Sequence, residues 1–351
     1  MKNILYIIFL YFVFCSGANA AEILETINVD DFTIQVIEKD CLAENECFFD
    51  KKKREVTILK NNQSIYESSQ NINWKEGDVK PVGWKDINGN GLLNIILQTY
   101  SKGAHCCSNY YILEIQDDKI NLLNKIEVGD YHITFEDIDE DGIDELITLE
   151  PHFSYWNCSF RACPLIEVVM SFNGIKYVPN TDLMKRYQQK IIGSDAVMGE
   201  RTPIKKLLQR AKISRETLEE EAQVYRIKIN KLLKKTSTSK VEKKEEPKTA
   251  ELDIKKYFDE VRQRKLVLCK SDVARCLEEE NINFWYRMLE LIYSGRYNDA
   301  LWYFDKVWED GALGKKEFAF DFFQCKLPSS AYWNEIAQMN NIETWQISKG
   351  C

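Results

Sequence analysis

The sequence predicts a multidomain β + α protein: an antiparallel β domain, a helical segment, a flexible charged linker and an all-α C-terminal domain. Three observations predict it. From Glu22 to about Asn180 apolar residues alternate with polar ones, or run in short blocks between turn residues, which is the period of strands. Beyond Thr181 the period becomes helical. Between two helical stretches, Lys234 to Glu251 offers Ser, Thr, Lys, Glu and one Pro but no apolar face, so it lacks the surface that would offset its ordering entropy. The resulting bounds are a signal peptide at 1–20, the β domain at 21–180, a helical extension at 181–233, the linker at 234–251 and a helical, disulfide-containing domain at 252–351.

The N-terminus has the grammar of an export signal. Lys2 precedes the apolar run ILYIIFLYFVF, and Ala18-Asn19-Ala20 forms a small-residue site that would be cut before Ala21. That run is shorter than the roughly 20 residues a spanning helix needs. With no other long apolar segment, the mature chain is expected to lack a membrane span and to be periplasmic or secreted. A formal net charge of −8 argues against a nucleic-acid partner, because phosphate binding rests on a positive surface.

Eleven cysteines fit an oxidising compartment. Loss of Cys15 with the signal leaves an even set that falls in near pairs: Cys41 with Cys47, Cys106 with Cys107, Cys158 with Cys163, Cys269 with Cys276, and Cys325 with Cys351. Spacing does not fix the connectivity, and Cys106 or Cys107 reaching Cys158 or Cys163 is the alternative. The cysteines lack the C-x-x-C spacing of zinc sites.

Within the β domain the strands read as FTIQVIE, EVTILK, SIYES, IILQTY, YYILEI, INLLNKIEV, HITFEDI, ELITL, LIEVVMSF and IKYVP. Asn61-Asn62 and Asn173-Gly174 stand where hairpin turns belong. The most informative connection is DIDEDGIDE, Asp137 to Glu145. Calcium takes six to eight oxygens at roughly 2.3–2.6 Å, and a tight loop supplies them from alternating positions. Asp137, Asp139, Asp141 and Glu145 fill positions 1, 3, 5 and 9, Ile143 offers its carbonyl at position 7, and Gly142 turns the chain at position 6. Thr148 stands where an EF-hand requires a glutamate, and a strand rather than a helix follows.

The pattern occurs again 51 residues earlier, as DINGNGLLN from Asp86 to Asn94. Here the ligand positions hold Asp86, Asn88, Asn90, Leu92 and Asn94, leaving Asp86 as the one carboxylate. Each loop precedes an apolar strand, a cysteine-containing turn and a second apolar strand, so the two form a repeat. Ligand charge sets affinity, so calcium is expected at the second loop, and an Asx-bonded turn without metal is the better reading of the first.

These loops and their strands, about residues 80 to 178, resemble the calcium-loop repeats of the VCBS/FG-GAP type, known from integrin-like β-propellers and many exported bacterial proteins. The resemblance implies propeller-blade-like units, a structural calcium ion and a binding role. Two repeats with an N-terminal hairpin pair are too few for a closed propeller, which needs about four blades.

Glu216 to Leu233 is rich in strong helix formers with opposite charges at i,i+4 spacing. The last hundred residues hold Trp285, Trp302, Trp308, Trp333 and Trp345, five of the eight tryptophans. Within SGRYNDALWYFDKVW, the positions of Tyr297, Ala300 and Phe304 resemble the second helix of a single tetratricopeptide-like hairpin near 281–310, which implies a partner-binding face. No nucleophile, metalloprotease or phosphate-loop motif is found, and His105, His132 and His152 have no triad or metal spacing. The expectation is an exported non-catalytic binding or scaffold protein with a structural calcium site, an unknown protein or glycan partner and no catalytic residues. The alternative is an envelope enzyme acting on glycan or peptidoglycan, whose carboxylate pair would leave little trace in sequence.

Overall fold

The computed structural model describes residues 21–40, 52–72, 77–103, 106–129, 131–158, 163–186, 192–193, 213–238, 277, 283–343 and 351, with backbone alone at 102–103, 106–107, 192–193 and 235–238. The signal segment, Cys41, Cys47, His105, Cys269, Cys276, Trp345, most of the linker and the start of the C-terminal domain lie outside the described residues. So do the side chains of Cys106 and Cys107. The chain divides into two compact units, Met1–Asp130 and Tyr131–Cys351. The division falls between the two loops, so the second loop shares its unit with the helices.

The first unit holds two four-stranded antiparallel meanders. One runs β1 (Glu22–Val29), β2 (Phe32–Asp40), β3 (Lys52–Lys60) and β4 (Gln63–Glu67), and the short helix α1 (Ser68–Asn71) follows it. The other runs β5 (Asp78–Lys85), β6 (Asn94–Gly103), β7 (Cys106–Gln116) and β8 (Lys119–Gly129). Strand period places Ile34 and Val36 opposite Ile58 and Val56, and Ile95 and Leu97 opposite Leu113 and Tyr111. These inward faces meet with Val79, Ile115 and Tyr66 in one core. The Asn61-Asn62 turn is as expected, both residues taking left-handed φ (50° and 62°), the conformation two-residue hairpins require. Asp117 and Asp118 do the same between β7 and β8.

The second unit pairs its strands in the order β12-β11-β10-β9: β9 (Thr134–Glu136), β10 (Glu145–Glu150), β11 (Pro164–Phe172) and β12 (Tyr177–Pro179), with β13 (Ile192–Gly193) also on β11. All six residues of β10 are buried. Helices α2 (Thr181–Arg186) and α4 (Trp285–Tyr293) pack on β11, α7 (Trp333–Met339) packs on α2, and α5 (Tyr297–Val307) lies between α4 and α3 (Arg215–Thr238). The remaining helical pieces are α6 (Lys315–Ala319), a π-helical stretch Phe320–Lys326 and a 3-10 turn Leu327–Ser329. Helix α3 continues to Thr238, so the first residues of the stretch read as linker are helical. Lysines propagate a helix readily once it is nucleated.

Aromatic rings fill the helical core. Phe284 stacks on Phe304 with centroids 6.1 Å apart, Phe318 stacks on Phe322 at 5.9 Å, and Trp156 from the sheet side meets Trp285 edge-on at 4.8 Å. Trp285, Trp308 and Trp333 are buried, so as folded these rings are not available for stacking on sugar. The hairpin of α4 and α5 turns at Gly295, where φ is +72° and a Cβ would come within 2.9 Å of Lys185 Cγ. Cys158 is bonded to Cys163 and Cys325 to Cys351, which removes the alternative bridge from Cys106 or Cys107 to either member of the first pair. The described residues show three antiparallel sheets, each built on a four-stranded path, and no closed propeller.

Candidate metal centre

The second loop leaves β9 at Glu136 and enters β10 at Glu145, and those two residues are register partners, so the loop closes on a strand pair. Four bonds to side chains hold its backbone. Asp137 accepts from the N–H of Asp141 and of Gly142, both at 3.1 Å; Asp141 accepts from Ile143 N–H at 2.8 Å; and Glu145 accepts from Ile138 N–H at 2.9 Å. Gly142 sits at φ +89°, where a side chain would be strained.

In this frame Asp137, Asp139 and Glu145 converge, each offering a carboxylate oxygen, with all three oxygens within 4.8 Å of one another. Like charges at that spacing repel by about 0.9 kcal/mol per pair in water and about 3.5 kcal/mol at an effective dielectric of 20. Glu145 is buried, and burial foremost, then the charges of Asp139 and Asp141, push its carboxyl above the usual range. Asp141 is exposed at the loop rim, its Oδ1 engaged by Ile143. The donor set is all oxygen, the chemistry of a hard cation.

The first loop is built on the same backbone plan. Asp86 accepts from Gly91 N–H at 2.8 Å, Asn90 from Leu92 N–H at 2.9 Å and Asn94 from Ile87 N–H at 3.0 Å, which are the same positions of the loop. Left-handed φ also recurs at matching places: Gly89 (67°) and Gly91 (80°) against Glu140 (65°) and Gly142 (89°). The interior differs. Asn88 and Asn90 each donate an amide N–H to Glu114 Oε2 on β7, at 2.9 and 2.7 Å. Glu114 is the register partner of Asn94. In the second loop the residue touching the ninth position from the neighbouring strand is Ser171, whose hydroxyl donates to Glu145 at 3.0 Å and accepts from Asn180 at 2.8 Å. The sequence reading missed Glu114 and Ser171.

Comparison with family models, with curated proteins and with solved structures found no match to this chain. The reading of the site therefore rests on its own chemistry.

A second polar cluster lies at the other end of β10. Glu150, 1 % exposed, accepts from Ser330 Oγ at 2.7 Å, His152 N–H at 3.0 Å and Tyr293 O–H at 3.4 Å. Burial raises the Glu150 carboxyl and lowers His152 and Lys326 from their ordinary values. The His152 ring nitrogen Nε2 faces Ser329 Oγ at 2.8 Å and the Lys326 carbonyl at 3.1 Å. A histidine that takes a serine proton must present a bare nitrogen, whereas the carbonyl at the same nitrogen calls for an N–H. Ser329 in turn donates to that carbonyl at 2.9 Å. The arrangement clamps the end of the π-helical stretch. His132 is exposed.

Proposed function

We propose that this chain is an exported, non-catalytic binding or scaffold protein whose second loop holds a structural calcium ion. The observation that carries the proposal is the convergence of Asp137, Asp139 and Glu145 oxygens within 4.8 Å in a loop whose backbone is already fixed by its own hydrogen bonds. Gathering acids in one loop is unfavourable alone and favourable around a cation, so the ion would join β9 to the buried strand β10. Asp137, Asp139, Asp141, Glu145 and the Ile143 carbonyl would hold it. The two disulfides support export, and among the described residues no helix is long and apolar enough to cross a membrane.

The binding role rests on the resemblance of the loops. A protein or glycan of the envelope is the partner class it implies. The test is a paired assay on the purified oxidised chain: retention on immobilised envelope proteins and glycans, and hydrolysis of cell-wall material. Calcium-dependent retention without hydrolysis is the expected result. Turnover of cell-wall glycan by folded protein would replace this reading with an enzymatic one.

A further inference from the structure

The two loops share backbone bonds, left-handed positions and strand connections, yet they place their charge on opposite sides of a strand pair. In the first, amides occupy positions 3, 5 and 9, and the carboxylate, Glu114, comes from the neighbouring strand. In the second, carboxylates occupy those positions and a hydroxyl, Ser171, comes from the neighbouring strand. We propose that this exchange decides which loop takes a cation: Glu114 closes the first loop in place of an ion, and Ser171 leaves the second loop's acids to be closed by one. The inference rests on the calcium reading of the second loop.

Three physical points carry it. First, Glu114 ties the third and fifth positions of its loop to the neighbouring strand by accepting from Asn88 and Asn90 with a single oxygen. Aspartates there would repel Glu114, so the amides and the cross-strand acid belong together. Second, a cation needs oxygens aimed at it, but Asn88 and Asn90 turn their N–H groups inward to Glu114, and the Asn90 oxygen is committed to Leu92 N–H. Third, Asn94, fully buried, accepts from Ile87 N–H with its oxygen and retains an amide nitrogen without a partner. An N–H at the ninth position opposes a cation. Asn88 Oδ1, also buried and without a partner, the Asp86 carboxylate and the Leu92 carbonyl are the oxygens left to the first loop, and they fall short of six.

Equilibrium dialysis against calcium, at neutral pH with the full mature chain, tests this by counting. Wild type is expected to bind one calcium ion, and a D139A/D141A variant none. Adding Asn88→Asp, Asn90→Asp, Asn94→Glu and Glu114→Ser to that variant should restore one bound ion by giving the first loop the second loop's side chains. Two ions bound by wild type, or one retained by D139A/D141A, would overturn the inference while leaving calcium binding intact. No ion bound by wild type would defeat the calcium reading and the inference with it. Because the sixfold variant risks misfolding, Glu114→Gln serves as a second measure. It should lower the melting temperature of the first unit equally in calcium and in chelator, and a loss rescued by calcium would contradict the proposal.

Discussion

At the scale of single residues, the second loop carries one position at odds with its conformation. Glu140 adopts φ 65°, a left-handed geometry that costs a non-glycine residue about 1 kcal/mol, while its counterpart in the first loop is Gly89. Glu140→Gly should therefore stabilise the metal-free protein by up to about 1 kcal/mol, read as a raised denaturation midpoint in chelator. Glu150 supports a pH prediction. Its carboxyl is raised mainly by burial, with Tyr293, Ser330, His152, Tyr332 and Lys326 around it. A raised folded value means the folded state holds the proton more tightly, so the stabilisation is full below the ordinary value of 4.5 and fades as pH rises through the folded value. Glu150→Gln mimics the protonated form, and the hydroxyls of Ser330 and Tyr293 can turn to accept its N–H. The variant should melt above wild type at pH 8, with the difference vanishing near pH 4 in paired thermal scans.

At the scale of elements, the two disulfides close chain segments of different length. Cys325–Cys351 spans 26 residues and Cys158–Cys163 spans 5, so loop entropy gives about 3.5 and about 2 kcal/mol respectively. Replacing each pair by serine and comparing denaturant midpoints should reproduce that order. Most strands and the helix at Glu216 were legible because period and composition agreed there. Strand β5 escaped the reading because Pro81 and Gly83 interrupt it, and both are tolerated since β5 is an edge strand with an irregularity between those two residues. Strand β1 escaped because as an edge strand it is exposed along nearly its whole length and shows no apolar alternation. Hairpin turns written Asn-Asn were readable, whereas the Asp117-Asp118 turn was not singled out. The loop's ligands were visible as a spacing. Glu114 and Ser171 were not, because partners across strands are set by register, which one sequence does not display.

At the scale of the whole molecule, the compact units do not follow the change of period near Thr181. The second repeat folds with the helices, since β11 supplies the surface on which α2 and α4 pack and Trp156 enters their aromatic core. Strand β10 runs from Glu145 at the candidate cation to Glu150 at the clamp on the π-helical stretch, buried throughout. Chelation should therefore raise hydrogen exchange in β9, β10 and the clamp residues around Ser330 while leaving β5 to β8 unchanged. Equal acceleration in both units would argue that the ion acts elsewhere.

The most direct measurement is a thermal melt of the signal-less, oxidised protein with excess calcium and with chelator, in wild type and in D139A/D141A. An ion that binds the folded state at a hundredfold above its dissociation constant adds about 2.7 kcal/mol, a clear upward shift. The account predicts that shift in wild type and its loss in the variant. Identical melts of wild type in calcium and chelator would contradict the central claim and leave Asp137 to Glu145 as an acidic turn.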